Sequence, residues 1–102
     1  MVVDIRNNDF SVVEESRGLA IVDFAAQWCK PCKEMEHVLH TIHKDLNIPV
    51  YKVDVEANQK LTSRFMITGL PTLMFVKNGK IMASQTGSAS LEHIQTRITE
   101  LQ

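Results

Sequence analysis

The sequence predicts an α/β protein with a central mixed five-stranded sheet flanked by four helices. Two observations predict it. Short apolar runs alternate with segments of helical periodicity through the first two thirds of the chain, the pattern of parallel strands joined by helical crossovers. Beyond that, two apolar runs flank Asn78-Gly79, the strongest short-range sign of a two-residue hairpin turn, so the last two strands should pair antiparallel. With 102 residues, the chain has the length of one domain, taken as 1–102.

The elements follow in order. Val2–Ile5 reads as a short strand. Asn7-Asn8-Asp9 is a turn cluster, and Asn8 or Asp9 is placed to cap a helix running to about Ser16, ended by Gly18. Leu19–Ala25 is apolar on both faces apart from Asp23, as in a central strand covered on both sides. From Cys29 to about Leu46 the apolar residues Met35, Val38, Leu39, Ile42 and Leu46 recur at helical spacing and define one buried stripe. Asn47-Ile48-Pro49 breaks this helix. Val50–Val55 alternates apolar and polar as a strand does. Ala57, Leu61 and Phe65 repeat every four residues and fit a short helix. Thr68-Gly69-Leu70-Pro71 is a loop, Thr72–Val76 and Ile81–Ala83 are the hairpin strands, and Leu91, Ile94, Ile98 and Leu101 mark an amphipathic helix with Ser90 as its cap. Strand order does not follow from this pattern.

Composition narrows the function. Hydrophobic residues make up 44% and charged residues 23%, with a formal net charge of −1, an ordinary globular balance. No run of like charge points to nucleic acid, and no basic amphipathic stretch points to a membrane surface. The start, Met1–Arg6, lacks the charged and then apolar regions of a secretory signal peptide, and no apolar run approaches bilayer-spanning length. The expectation is a cytoplasmic protein.

The chain's two cysteines, Cys29 and Cys32, lie in Trp28-Cys29-Lys30-Pro31-Cys32, where a strand hands over to a helix. In a reducing compartment such a pair is not a structural staple, and closing so short a loop stabilises a fold by only about 2 kcal/mol. Thiol–disulfide exchange is the leading reading. Exchange requires a thiolate. At the start of a helix, unpaired backbone N–H groups and the helix dipole favour the Cys29 anion by about 0.3–1 kcal/mol, up to ~2 when partly buried. Lys30 adds a neighbouring cation of secondary weight. Cys32, on the same helix face one turn deeper, suits the resolving thiol. Pro31 is tolerated in a first helical turn. A metal site using Cys29 and Cys32 with His37, His40 or His43 is the rival. Zinc sites normally carry a second close ligand pair, whereas these histidines share the cysteines' own helix; His40 and His43 read as solvated on its polar face. An inert buried pair is the third reading.

Further residues join the cysteines. Ile21-Val22-Asp23-Phe24, Trp28-Cys29-Lys30-Pro31-Cys32-Lys33, Lys52-Val53-Asp54, Gly69-Leu70-Pro71-Thr72, Phe75–Lys80 and Gly87, in this order and spacing, resemble the thioredoxin family over nearly the whole chain. The resemblance implies a thioredoxin fold and a protein-disulfide reductase, with Cys29 as nucleophile, Cys32 as resolving thiol and Asp23 as the buried acid serving Cys32. Burial should raise the pKa of Asp23, and Lys52 reads either as its pairing cation or as a surface strand lysine. The resemblance also implies a cis bond before Pro71, and a docking groove formed by Trp28, Leu70, Pro71 and the turn around Gly87. By the same resemblance, Trp28, Lys30, Pro31, Lys52 and Pro71 are expected to support the active site. No bound cofactor or metal is implied: the reacting group is the Cys29–Cys32 disulfide, with electrons from NADPH through a thioredoxin reductase. The expected partners are that reductase and disulfide-containing proteins, met as a monomer.

Four positions depart from the commonest family pattern: Lys30 for Gly, Ala25 for Trp, His37 for a helix-kinking Pro and Met66 for Gly. His37 predicts a straighter helix. Lys30 keeps open a specialised or oxidising relative, or an isomerase. A non-enzymatic docking module is the remaining alternative, against which Cys29, Cys32, Asp23 and Pro71 all argue.

Overall fold

The computed structural model describes residues 2–102. The elements run β1 (Val2–Asp4), α1 (Ser11–Glu14), β2 (Leu19–Ala25), α2 (Lys30–Leu46), β3 (Val50–Asp54), α3 (Gln59–Arg64), β4 (Thr72–Lys77), β5 (Lys80–Thr86) and α4 (Leu91–Leu101). The sheet order is β1-β3-β2-β4-β5. β1 and β2 both pair parallel with β3, and β4 pairs antiparallel with β2 and β5, so the sheet is mixed as expected.

β2 lies at the centre, and alternation of its side chains divides the core in two. Ala20, Val22 and Phe24 pack with Val13 of α1 and Leu61 of α3. Ile21 packs with Met35, Leu39 and Ile42 of α2 and with Ile94 and Ile98 of α4. Asp23 and Ala25 share Ile21's side of the strand and therefore face α2.

Three local expectations are corrected. α1 is a single turn that starts after Phe10, not a helix to Ser16. Asp9 still serves its start, accepting from the Ser11 N–H at 3.0 Å. Asn8 turns instead toward α3, its Oδ1 accepting from the Leu61 N–H at 3.1 Å. The third helix begins at Gln59, so Ala57 lies outside it and is exposed. Leu46, placed on the α2 stripe by spacing, is 44% exposed because the core ends one turn before the helix does.

The turns agree with their residues. Asn47 closes α2 in the left-handed region at φ 56°. Asn78 and Gly79 have φ of 52° and 80°, the doubly positive geometry that a two-residue hairpin requires. Asn78 also exchanges two hydrogen bonds with Gly18, donating its N–H to the Gly18 carbonyl at 3.0 Å and accepting at Oδ1 from the Gly18 N–H at 2.8 Å. Ser90 caps α4, its Oγ accepting from the His93 N–H at 3.1 Å.

Candidate active site

β2 ends at Ala25, and the chain turns through Ala26–Trp28 to start α2 at Lys30 with Cys29 as its N-cap. Cys29 is extended there, at φ −88° and ψ 109°, and its Sγ accepts from the Cys32 N–H at 3.2 Å. A sulfur thus occupies the place of a capping oxygen, and it meets one of the backbone donors that a helix start leaves unpaired. Pro31 falls among the first two helical positions, where a missing N–H leaves no gap in the helix. Cys29 and Cys32 are joined as a disulfide with their Cα atoms 5.3 Å apart. Both are buried and pack against Ala25 and Ala26, with Val55 and Leu70 at the margin.

One side of the pair opens to a cavity of about 540 Å³. Trp28, Cys29, Lys30 and Pro31 form one wall; Val55, Thr62 and Ile67–Leu70 form the other. Trp28 is 70% exposed, a large apolar surface standing beside the sulfur. The Leu70–Pro71 bond is cis. Pro71 is buried, and its carbonyl accepts from the Gly87 N–H at 2.8 Å. Pro71 and Gly87 are therefore tied to each other, but they are not among the cavity's lining residues; Gly87 lines a separate depression with Gln85, Ser88 and Arg97. Val55, Thr62 and Ile67 were not legible as groove residues. Val55 reaches it from the β3–α3 connection, Thr62 from α3 itself and Ile67 from the α3–β4 connection, and no motif marks them.

Asp23 lies on β2 under α2 and is 2% exposed. Its Oδ1 finds no hydrogen-bond partner among the described residues. Burial pushes its pKa from the ordinary 3.8 up to about 7, against the attraction of Lys52 and with a contribution from Glu36. Lys52 is Asp23's register partner on β3, yet its ammonium is bonded to the Glu36 carboxylate of α2. Glu36 was likewise not singled out from the sequence, where it reads as one more charged residue on the polar face of α2. The rival metal reading finds no support in the geometry: among the described residues no three His, Cys, Asp or Glu side chains converge to hold an ion. His43 is not simply solvated, as its Nδ1 meets the Ile48 carbonyl at 2.9 Å. Nor is any helix of the described residues long and apolar enough to cross a membrane.

Comparison with known proteins agrees with this arrangement. A family model described as Thioredoxin matches residues 1–100. Thioredoxin of Bacillus subtilis is 29% identical over 97% of this chain and 96% of its own. Thioredoxin of Haemophilus influenzae is 36% identical over 85% of this chain and 84% of its own. Thioredoxin H-type of Ricinus communis is 35% identical over 92% and 80%. Among solved structures, a single-residue mutant of thioredoxin from Halobacterium salinarum superposes with a TM-score of 0.89 at 26% identity, covering 97% of this chain and 88% of that one. A cysteine pair that starts a helix beside an exposed Trp, on a sheet matched along nearly its whole length by these relatives, makes the chain a member of the thioredoxin family and a thiol–disulfide oxidoreductase.

Proposed function

We propose that the chain is a general protein-disulfide reductase in which Cys29 is the nucleophile, Cys32 the resolving thiol and Asp23 the proton acceptor for Cys32. The observation that carries this is the cap: the Cys32 N–H aimed at the Cys29 sulfur lowers the free energy of a Cys29 thiolate more than that of a thiol. A reductase of the family's type supplies two electrons and two protons to the Cys29–Cys32 disulfide, with NADPH as the source.

In the reduced protein the Cys29 thiolate attacks one sulfur of a substrate disulfide, and the other substrate sulfur leaves as a thiolate that takes up a proton. Asp23, as carboxylate, accepts the Cys32 proton. The Cys32 thiolate then attacks the Cys29 sulfur of the mixed disulfide. The Cys29–Cys32 bond forms, the bond to substrate breaks, the second substrate sulfur leaves as a thiolate that takes up a proton, and Asp23 releases the one it accepted, so that the substrate leaves as a dithiol. Trp28 and Leu70 offer apolar contact to an extended substrate segment, the backbone before Pro71 offers hydrogen bonds, and Pro71 and the turn around Gly87 complete the groove. Lys30, Pro31 and Lys52 support the site. Residues 1–102 work as one domain and a monomer in the cytoplasm.

NADPH-coupled insulin reduction with a thioredoxin reductase tests this. Wild type turns over and Cys29→Ser does not, while Cys32→Ser accumulates a mixed disulfide through Cys29, visible by mass spectrometry. Turnover surviving in Cys29→Ser would overturn the assignment. An inactive wild type with a reactive Cys29 would favour a dedicated partner selected by Lys30.

A further inference from the structure

A second cavity, of about 390 Å³, opens between the β1–β3 edge of the sheet and α2. Its charged and titratable lining comes from every element around Asp23: Asp4 of β1, Lys52 of β3, and Glu36, His37 and His40 of α2. β4 adds nothing to the lining and sets only the apolar Leu73 opposite Asp23 in register. Asp23 forms part of this cavity's wall and not of the groove beside Trp28.

Asp23 and Lys52 are directly opposed across β2 and β3, and adjacent strands lie about 4.8 Å apart. The four-carbon stem of Lys52 is therefore long enough to bring its ammonium onto the Asp23 carboxylate. It does not do so. The ammonium is bonded to Glu36, and an Asp23 oxygen stays without a partner. The side chain of Glu36 is 50% exposed and that of Lys52 30%, so their pair sits at the solvent edge. Meeting Asp23 would draw the cation inward, at a desolvation cost.

We propose that Glu36 is a positioning residue for disulfide exchange: it anchors the Lys52 ammonium at the cavity's edge, prevents a direct Lys52–Asp23 ion pair, and so leaves Asp23 free to take and release a proton. This rests on the assignment of Asp23 as the acceptor for Cys32. A cation seated on the carboxylate would hold it ionised and make it a weaker base. Glu36 thus acts in two ways, by occupying Lys52 and by its own negative charge across the cavity. Both favour the protonated acid, in line with the influences of Lys52 and Glu36 on Asp23.

Carboxyl-carbon NMR titration of Asp23 separates the two in the oxidised protein, where neither cysteine titrates. Wild type, Glu36→Gln, Lys52→Met and the double variant are compared, alongside the pH profile of kcat/KM for insulin reduction. Glu36→Gln is expected to lower the Asp23 midpoint by about one pH unit as Lys52 moves onto the carboxylate. The acid limb of the profile should move down with it. In the Lys52→Met background the same substitution should shift the midpoint by less than half as much. Equal shifts in both backgrounds, or none in either, would overturn the proposal. Asp23→Asn checks the underlying assignment separately: an unchanged pH profile in that variant would remove the consequence for exchange, while the midpoints would still report whether Glu36 holds Lys52.

Discussion

A single buried carboxyl makes the stability of this protein pH-dependent in an unusual direction. Asp23 has a pKa near the ordinary 3.8 when the chain is unfolded and about 7 when it is folded. Its folded form therefore holds a proton that the unfolded form releases. Between these two values the unfolded state binds fewer protons, and stability falls as pH rises. Stability attributable to this group is fully present below about pH 4, is lost progressively up to about pH 7, and then levels off. A rise from 3.8 to about 7 spans about three units, which at 1.36 kcal/mol per unit is about 4 kcal/mol. That is a large part of the 5–15 kcal/mol typical of a domain. Asp23→Asn keeps the shape and removes the titration. Urea unfolding of both oxidised proteins at half-unit intervals from pH 4 to 8.5 isolates the effect. The two curves should nearly meet at the acid end, and Asp23→Asn should be the more stable by up to about 4 kcal/mol at the alkaline end. A difference that stays constant across this range would show that Asp23 does not change its pKa on folding and would refute the reasoning.

Three further outcomes are expected. Gly79→Ala should cost at least about 1–2 kcal/mol in urea unfolding, since Gly79 sits at φ 80° and a Cβ there would lie 2.3 Å from the Glu14 carbonyl oxygen; Gly87→Ala, with φ 100° and open space around the added carbon, should cost less. Asn58→Ala should destabilise by about 2–4 kcal/mol. Asn58 is fully buried, donates to the Ile5 and Asp54 carbonyls and accepts from the Asn8 N–H, so truncation strands several buried polar groups. Trp28→Ala should lower kcat/KM for insulin by roughly tenfold or more while changing stability by less than about 0.5 kcal/mol, because the ring is 70% exposed; equal losses in activity and stability would make Trp28 a structural residue instead.

Local pattern carries much of this protein. The run Leu19–Ala25, apolar on both sides of one acid, became the central strand with those bounds, since a strand covered on both faces needs no alternation. Met35, Leu39 and Ile42 became the buried stripe of α2. Asn78-Gly79 became the hairpin turn because both residues tolerate positive φ. The position of the cysteine pair at a strand-to-helix junction was legible for the same reason: each feature depends on residues a few places apart.

What tertiary structure alone decided depends on residues far apart in the chain. The order β1-β3-β2-β4-β5 is one such decision, because an apolar strand pairs equally well with several others until all helices are packed. The Asn8–Asn58 link, spanning 50 positions, is another. Asn8 looked like a cap for the helix beside it, but the fold brings the start of α3 closer. Lys52 faced two carboxylates, Asp23 by register and Glu36 by packing of α2, and solvent access at the cavity's edge favoured Glu36. Sequence spacing states which face a side chain occupies. Which of two reachable partners it takes is a difference in desolvation and distance, and that exists only once the elements are assembled.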